Sequence, residues 1–202
     1  EGGESEPPVT QVTYGRSGQD RDPELSPDGK TLIYASSAYG EDFDLYAKPV
    51  GGNAPVRLTR LEGHERFPKI NPALPRMLAF SADSGGEWKI CLIEDWIQHP
   101  EKVISLTDPG SHNLHPSWSP DGRLLVYAST QDLGSGDWVL KIRDLATGKT
   151  QVLEDIDGFL PEWSPKGNRI VFPRMRHREG WFELAAWLTA RGGPPDAWAL
   201  VR

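Results

Sequence analysis

One nine-residue stretch recurs along this chain and limits its folding options more than any other feature. Asp22-Pro23-Glu24-Leu25-Ser26-Pro27-Asp28-Gly29-Lys30 returns as His115-Pro116-Ser117-Trp118-Ser119-Pro120-Asp121-Gly122-Arg123, and again as Leu160-Pro161-Glu162-Trp163-Ser164-Pro165-Lys166-Gly167-Asn168. A weaker copy, Phe67-Pro68-Lys69-Ile70-Asn71-Pro72-Ala73, falls between the first two. The leading prolines therefore stand at 23, 68, 116 and 161, separated by 45, 48 and 45 residues. Recurrence at this period marks an array of units, each burying a face on its neighbours. The recurring residues are those that a turn and a sheet need, and none does chemistry, so the repeat specifies architecture and only narrows function.

Each unit carries strand signals throughout. In the third copy, Pro116 to Ser119 is a short first strand. The corner Pro120, Asp121, Gly122 after Ser119 is a tight turn: Pro presets φ, Asp bonds back to the backbone and Gly takes φ > 0. Asp28 and Gly29 after Pro27, and Gly167 after Pro165, repeat that corner. Leu124 to Ala128 is an apolar, β-favouring run bounded by turn residues, as in a strand covered on both faces. Gln131 to Asp137 reads as a polar loop, Trp138 to Leu145 as an alternating third strand, and Thr150 to Leu153 as a fourth after the turn Ala146-Thr147-Gly148-Lys149. The same grammar gives Thr31–Ala35, Phe43–Pro49 and Val56–Thr59 in the first copy, Met77–Ser81, Trp88–Ile93 and Lys102–Leu106 in the second, and Arg169–Phe172, Trp181–Thr189 and Ala197–Val201 in the fourth. Phe182 to Ala190 alone also fits a helical period, but its place in the repeat argues for a strand.

Four-stranded units of about this length match the blades of a β-propeller. The combination of Trp118-Ser119-Pro120-Asp121-Gly122 before an apolar strand, Asp42-Phe43-Asp44-Leu45-Tyr46, Gly51-Gly52 and Arg57-Leu58-Thr59 resembles the TolB-like class of propeller repeat over about residues 9 to 202. The expected fold is all-β: a flexible leader at 1–8, then a propeller domain at 9–202 with blades at about 20–62, 63–110, 111–156 and 157–202. The second copy departs from the pattern at Asn71-Pro72-Ala73-Leu74-Pro75, so its corner must differ locally. Four repeats lie at the bottom of the usual range for such rings, which leaves three architectures open: a small closed ring, an open arc completed by another chain, or a piece of a longer protein. Thr10 to Tyr14 is a candidate for an extra outer strand on the last blade.

The resemblance implies modules of several kinds: periplasmic translocation proteins, peptidase-associated propellers and some polysaccharide lyases. Chain composition excludes others. A net charge of −7 is the opposite of a nucleic-acid footprint. No stretch approaches the length of apolar sequence that spans a bilayer. The chain starts at Glu1 rather than Met, as expected of a processed or a trimmed chain; if processed, a removed signal peptide fits the periplasmic or otherwise extracytoplasmic setting that the resemblance implies. Cys91 is the one cysteine and reads as a buried thiol. The eight tryptophans read as blade packing, because Trp88, Trp138 and Trp181 share one place in the repeat and Trp118 and Trp163 another.

Catalytic signatures are absent from the sequence: there is no Gly-x-Ser-x-Gly elbow, phosphate-cradling loop or metal-spaced Cys pair, and His64-Glu65 lacks the second His of a zincin. Aligning the loops before each first strand puts Gln19, His64, His112 and Asp157 four places before the leading proline, with His115 one place before its own. Loops of this kind converge on the mouth of a propeller channel, so His64, His112, His115 and Asp157 are the candidate ligand or metal residues. No cofactor is otherwise expected. The acidic run Glu41, Asp42 and Asp44 reads as turn chemistry. Residues 157–202 carry seven Lys or Arg against five Asp or Glu, and Arg174, Arg176, His177 and Arg178 concentrate that charge on one hairpin, the candidate partner-binding residues. The expected function is a non-catalytic interaction or scaffold module with protein partners in an extracytoplasmic assembly, associated with a membrane complex or with a second copy of itself. The alternative is an enzyme, a polysaccharide lyase or hydrolase with a His and carboxylate site at the mouth, or the propeller of a peptidase.

Overall fold

The computed structural model describes residues 9–14, 17–52, 54–130, 137–153, 156–175, 182–188 and 198–200. They form four four-stranded antiparallel sheets, each built from strands consecutive in sequence. The first contains β1 (Asp20–Leu25), β2 (Thr31–Ser36), β3 (Asp44–Pro49) and β4 (Val56–Arg57); the second β5 (Glu65–Ile70), β6 (Leu78–Ser84), β7 (Glu87–Ile93) and β8 (Val103–Ser105). The third contains β9 (Asn113–Trp118), β10 (Leu124–Thr130), β11 (Trp138–Asp144) and β12 (Thr150–Leu153); the fourth β13 (Glu162–Trp163), β14 (Arg169–Met175), β15 (Phe182–Leu188) and β16 (Trp198–Leu200). Phe182–Leu188 is thus a strand, as its place in the repeat requires. Residues 9–14 form no strand; the Lys48 ammonium instead donates to the Val12 carbonyl.

The corners are made by their sequence. In the first, the Gly29 amide donates to the Ser26 carbonyl at 2.8 Å while Gly29 holds φ 71°, and the Ser26 hydroxyl donates to Asp28 Oδ1 at 2.6 Å. Ser26 Oγ also accepts the Thr31 amide, closing the turn onto β2. Ser119, Asp121 and Gly122 repeat this arrangement, and Ser164 and Gly167 keep its backbone part. The serine hydroxyls hold the carboxyls of Asp28 and Asp121 below the ordinary range. In the second sheet Asn71 substitutes for the serine: its Oδ1 accepts the amides of Ala73 and Leu74, and its Nδ2 donates to the Gly122 carbonyl of the next sheet at 2.8 Å.

Neighbouring sheets face one another across apolar clusters. Ile33, Ala35, Leu45 and Ala47 meet Ile70, Leu78, Phe80 and Ile93; Ile90 and Leu92 meet Trp118, Leu125 and Tyr127; Val126, Leu140 and Ile142 meet Ile170 and Phe172. Each large side chain fully buried here contributes roughly 1.5–3 kcal/mol of hydrophobic stabilisation. Trp118 ties two sheets, its Nε1 donating to the Lys69 carbonyl of the preceding sheet, and Trp138 and Trp163 pack against the third seam; Trp96 Nε1 donates to the Pro75 carbonyl within the second sheet. A second repeated device fixes the third strands of the first two sheets, where Thr59 Oγ1 accepts the Leu45 amide and Thr107 Oγ1 accepts the Ile90 amide.

Candidate functional site: the axial quartet

The first strand of each sheet faces the first strand of the next, so β1, β5, β9 and β13 line one axis. The residue before each leading proline lies in the left-handed region: Asp22 at φ 51°, Phe67 at 56°, His115 at 56° and Leu160 at 50°. No other non-glycine residue among those described has φ > 0. The conformation costs an L-residue about 1–2 kcal/mol, so the quartet stores on the order of 4–8 kcal/mol. Strain of this size persists only where the surroundings over-determine it, and it concentrates at functional positions. In the first three sheets it coincides with a break in register between the first and second strands, at Arg21/Glu24, Arg66/Lys69 and Val126/Ala128. The extra residue of such a bulge re-aims its side chain out of the pleat.

The four residues meet around a cavity of about 260 Å³, lined also by the four prolines, Lys69 and Glu162. Asp22 receives a two-pronged hydrogen bond from Arg66 at 2.6 and 3.0 Å and accepts the Phe67 amide at 3.3 Å. The Arg66 guanidinium in turn lies over the Phe67 ring, 4.6 Å from its centroid. The Phe67 and His115 rings are 4.0 Å apart. Burial pushes the His115 imidazole down to about 4, with the positive charges of Arg66 and Lys69 acting in the same direction and Asp22 opposing. The ring is therefore neutral at ordinary pH.

Below the quartet, the residues after the prolines form a polar floor. Lys69 Nζ lies 2.5 Å from Glu162 Oε1 and 3.9 Å from Glu24 Oε2, so one ammonium joins three sheets. The Ser117 hydroxyl donates to Glu162 Oε2 and accepts the Trp163 amide, while Glu24 Oε1 accepts the Ile70 amide. Burial, and after it the like charge of Glu162, raises the Glu24 carboxyl above its ordinary value.

Of the residues singled out in the sequence, His115 belongs to this quartet. His64 and His112 occupy equivalent places in successive seams instead: His64 Nδ1 accepts the Phe43 amide at 3.1 Å, and His112 Nδ1 accepts the Trp88 amide at 3.4 Å. Asp157 precedes Gly158, whose amide donates to the Trp138 carbonyl across the third seam, the place that Glu65 and Phe43 hold in the first. Among the described residues no group of three or more His, Cys, Asp or Glu side chains is placed to hold a metal. Asp44 is buried against Arg57 at 2.6 Å, and Asp42 lies 3.4 Å from His64. Arg174 lies on β14, and Arg176, His177 and Arg178 are outside the described residues. Asp22, Phe67, Leu160 and Lys69 were not singled out as site residues; their signal is position alone, one place before or after an aligned proline.

Four four-stranded antiparallel sheets about one axis, with this site at its centre, define a β-propeller. No family model matches the chain. An uncharacterised protein of Agrobacterium fabrum is 26% identical over 162 residues, 74% of this chain and 53% of that protein. The Tol-Pal system protein TolB of Alcanivorax borkumensis is 30% identical over 77 residues, 37% of this chain and 17% of that protein. The crystal structure of TolB from Acinetobacter baumannii superposes with a TM-score of 0.66 at 25% identity, covering 87% of this chain and 41% of that one. An oligogalacturonate lyase in complex with manganese has the same fold, with a TM-score of 0.66 at 17% identity over 91% of this chain and 54% of that one. The chain has a TolB-like β-propeller fold, and it spans about half the length of the first of these relatives. Among the described residues no helix is long and apolar enough to cross a membrane.

Proposed function

We propose that this chain is a non-catalytic interaction module that receives a protein partner at the axial quartet, within an extracytoplasmic assembly. The observation that carries this reading is the strain: four unrelated side chains, from Asp22, Phe67, His115 and Leu160, share one unfavourable backbone conformation whose common effect is to present them at the axis. The one charge among them, on Asp22, is already answered by Arg66, and Lys69 answers Glu162 on the floor beside it, which suits a preformed docking surface more than a poised acid–base pair. The likeness to a protein named for the Tol-Pal system supports the same class. The basic stretch Arg174, Arg176, His177 and Arg178 is a second proposed contact for that partner.

The test is to purify the native protein with what co-migrates and weigh the complex, then repeat with Phe67→Ala and Leu160→Ala. Loss of the partner from folded variants supports the reading, and an unchanged complex removes it. The enzyme alternative draws on one observation, the neutral His115 imidazole beside Asp22. It predicts turnover of a polysaccharide or peptide by the purified chain that His115→Ala abolishes.

A further inference from the structure

The second sheet departs from the repeat in two places, and the fold brings both departures together. Its first corner is Asn71-Pro72-Ala73-Leu74-Pro75 in place of Ser-Pro-Asp-Gly, and its turn between β7 and β8 is a long excursion from Glu94 to Lys102 where the third sheet has Ala146-Thr147-Gly148-Lys149. Both lie at the end of the blades opposite the connections between sheets, next to the Ser26-Pro27-Asp28 corner of the first sheet. Between them is a groove of about 860 Å³, lined among others by Pro27, Leu74, Pro75, Met77, Trp96 and Ile97.

The groove is held rigidly. Asp95 Oδ1 accepts the amides of Ile97 and Gln98, Asp95 Oδ2 takes the Arg76 guanidinium at 2.8 Å, and the Trp96 indole is fixed on the Pro75 carbonyl. Yet Leu74 and Ile97 are each 55% exposed, where a polar corner and a polar hairpin stand in the third sheet. A preorganised concave surface that leaves two large aliphatic side chains in water has the composition of an interface rather than of a solvated turn. The charge at its rim gives the occupant's sign. Arg76 is taken by Asp95, and the remaining lining carboxylates, Asp28 and Glu94, are in no ion pair among the described residues.

We infer that this groove binds a protein segment that presents aliphatic side chains flanked by lysine or arginine. The aliphatic groups complete the Leu74, Trp96 and Ile97 surface, and the cations answer Asp28 and Glu94. The site is distinct from the axial quartet and stands whether or not a partner docks there.

The probe is a synthetic peptide with paired leucines between lysines, set against the same peptide with glutamates for lysines, each titrated into the intact chain while the methyl resonances of Leu74 and Ile97 are followed. The lysine peptide is expected to shift those methyls and to bind more weakly as salt rises. Leu74→Ser and Ile97→Ser should each weaken it about tenfold, the loss of one buried aliphatic contact, and Glu94→Lys should weaken it and flatten the salt dependence. Both aliphatic residues are more than half exposed, so the variants are not expected to unfold the chain. Equal binding of the glutamate peptide, binding that ignores Leu74 and Ile97, or no binding of either peptide overturns the inference.

Discussion

Replacing Leu160 by glycine and by alanine gives opposite signs depending on whether the quartet is strained. Both substitutions remove most of a side chain that is 43% exposed, so the loss of burial nearly cancels between them. What remains is backbone. At φ 50° alanine keeps the left-handed penalty of about 1–2 kcal/mol, which glycine escapes. Glycine in turn gives up roughly 0.5–1 kcal/mol of extra unfolded-state entropy. The balance favours Leu160→Gly over Leu160→Ala by about 1 kcal/mol, the reverse of the order expected in ordinary extended backbone. For a chain of this size that is a difference of about 2–4 °C in Tm. Urea unfolding of the two variants, with the slope m checked to be equal, measures it directly. Equal stabilities, or alanine the more stable, would refute the claim that the residue before the leading proline is held against its preference.

Further expectations concern the seams. Glu65 is fully buried; burial first, then the neighbouring Asp44, push its carboxyl up to about 8 from an ordinary 4.5, against the Thr59 hydroxyl and Arg57. A raised acid is protonated in both states below pH 4.5, so its contribution is full there, and stability falls as pH rises from 4.5 towards 8 while only the unfolded chain ionises. Glu65→Gln should remove that slope in a pH series of denaturation curves. Asn71 is wholly buried, its side chain making three hydrogen bonds to backbone groups and a weak one to Met77 Sδ, so Asn71→Ala should cost about 3 kcal/mol by the same measurement. Gly122→Ala should cost at least as much, because its new Cβ would lie 2.2 Å from Asn71 Oδ1 at a φ of 71°. His64→Ala and His112→Ala should each cost about 1 kcal/mol, additively, since each loses one acceptor in a separate seam.

The strands and corners were legible because they are written in local chemistry. Leu124–Thr130 and Trp138–Asp144 announce themselves by β-favouring apolar runs, and Gly29, Gly122 and Gly167 by the turns they alone permit. The first strands were read too late: Pro116–Ser119 was expected and Asn113–Trp118 is found, because a proline marks a strand start only where no bulge precedes it. The axial quartet was hidden for a related reason. A residue before proline is expected in extended backbone, and Asp, Phe, His and Leu share no property that would flag a left-handed place. Alignment of the loops did bring out His64 and His112, but not their task, since an imidazole that accepts a strand amide and one that lines an axis look alike in sequence. Lys69, paired with acids 45 and 93 residues away along the chain, carries no local signal at all.

The claim that a partner docks at the axis is tested most directly by photo-crosslinking in the native assembly. A photoreactive residue placed at Leu160 is compared with one at Ile104, which is similarly exposed, at 44%, but sits on the outer strand β8. Capture of the partner from position 160 and not from 104 is the predicted result. Capture from 104 with none from 160 would contradict the account.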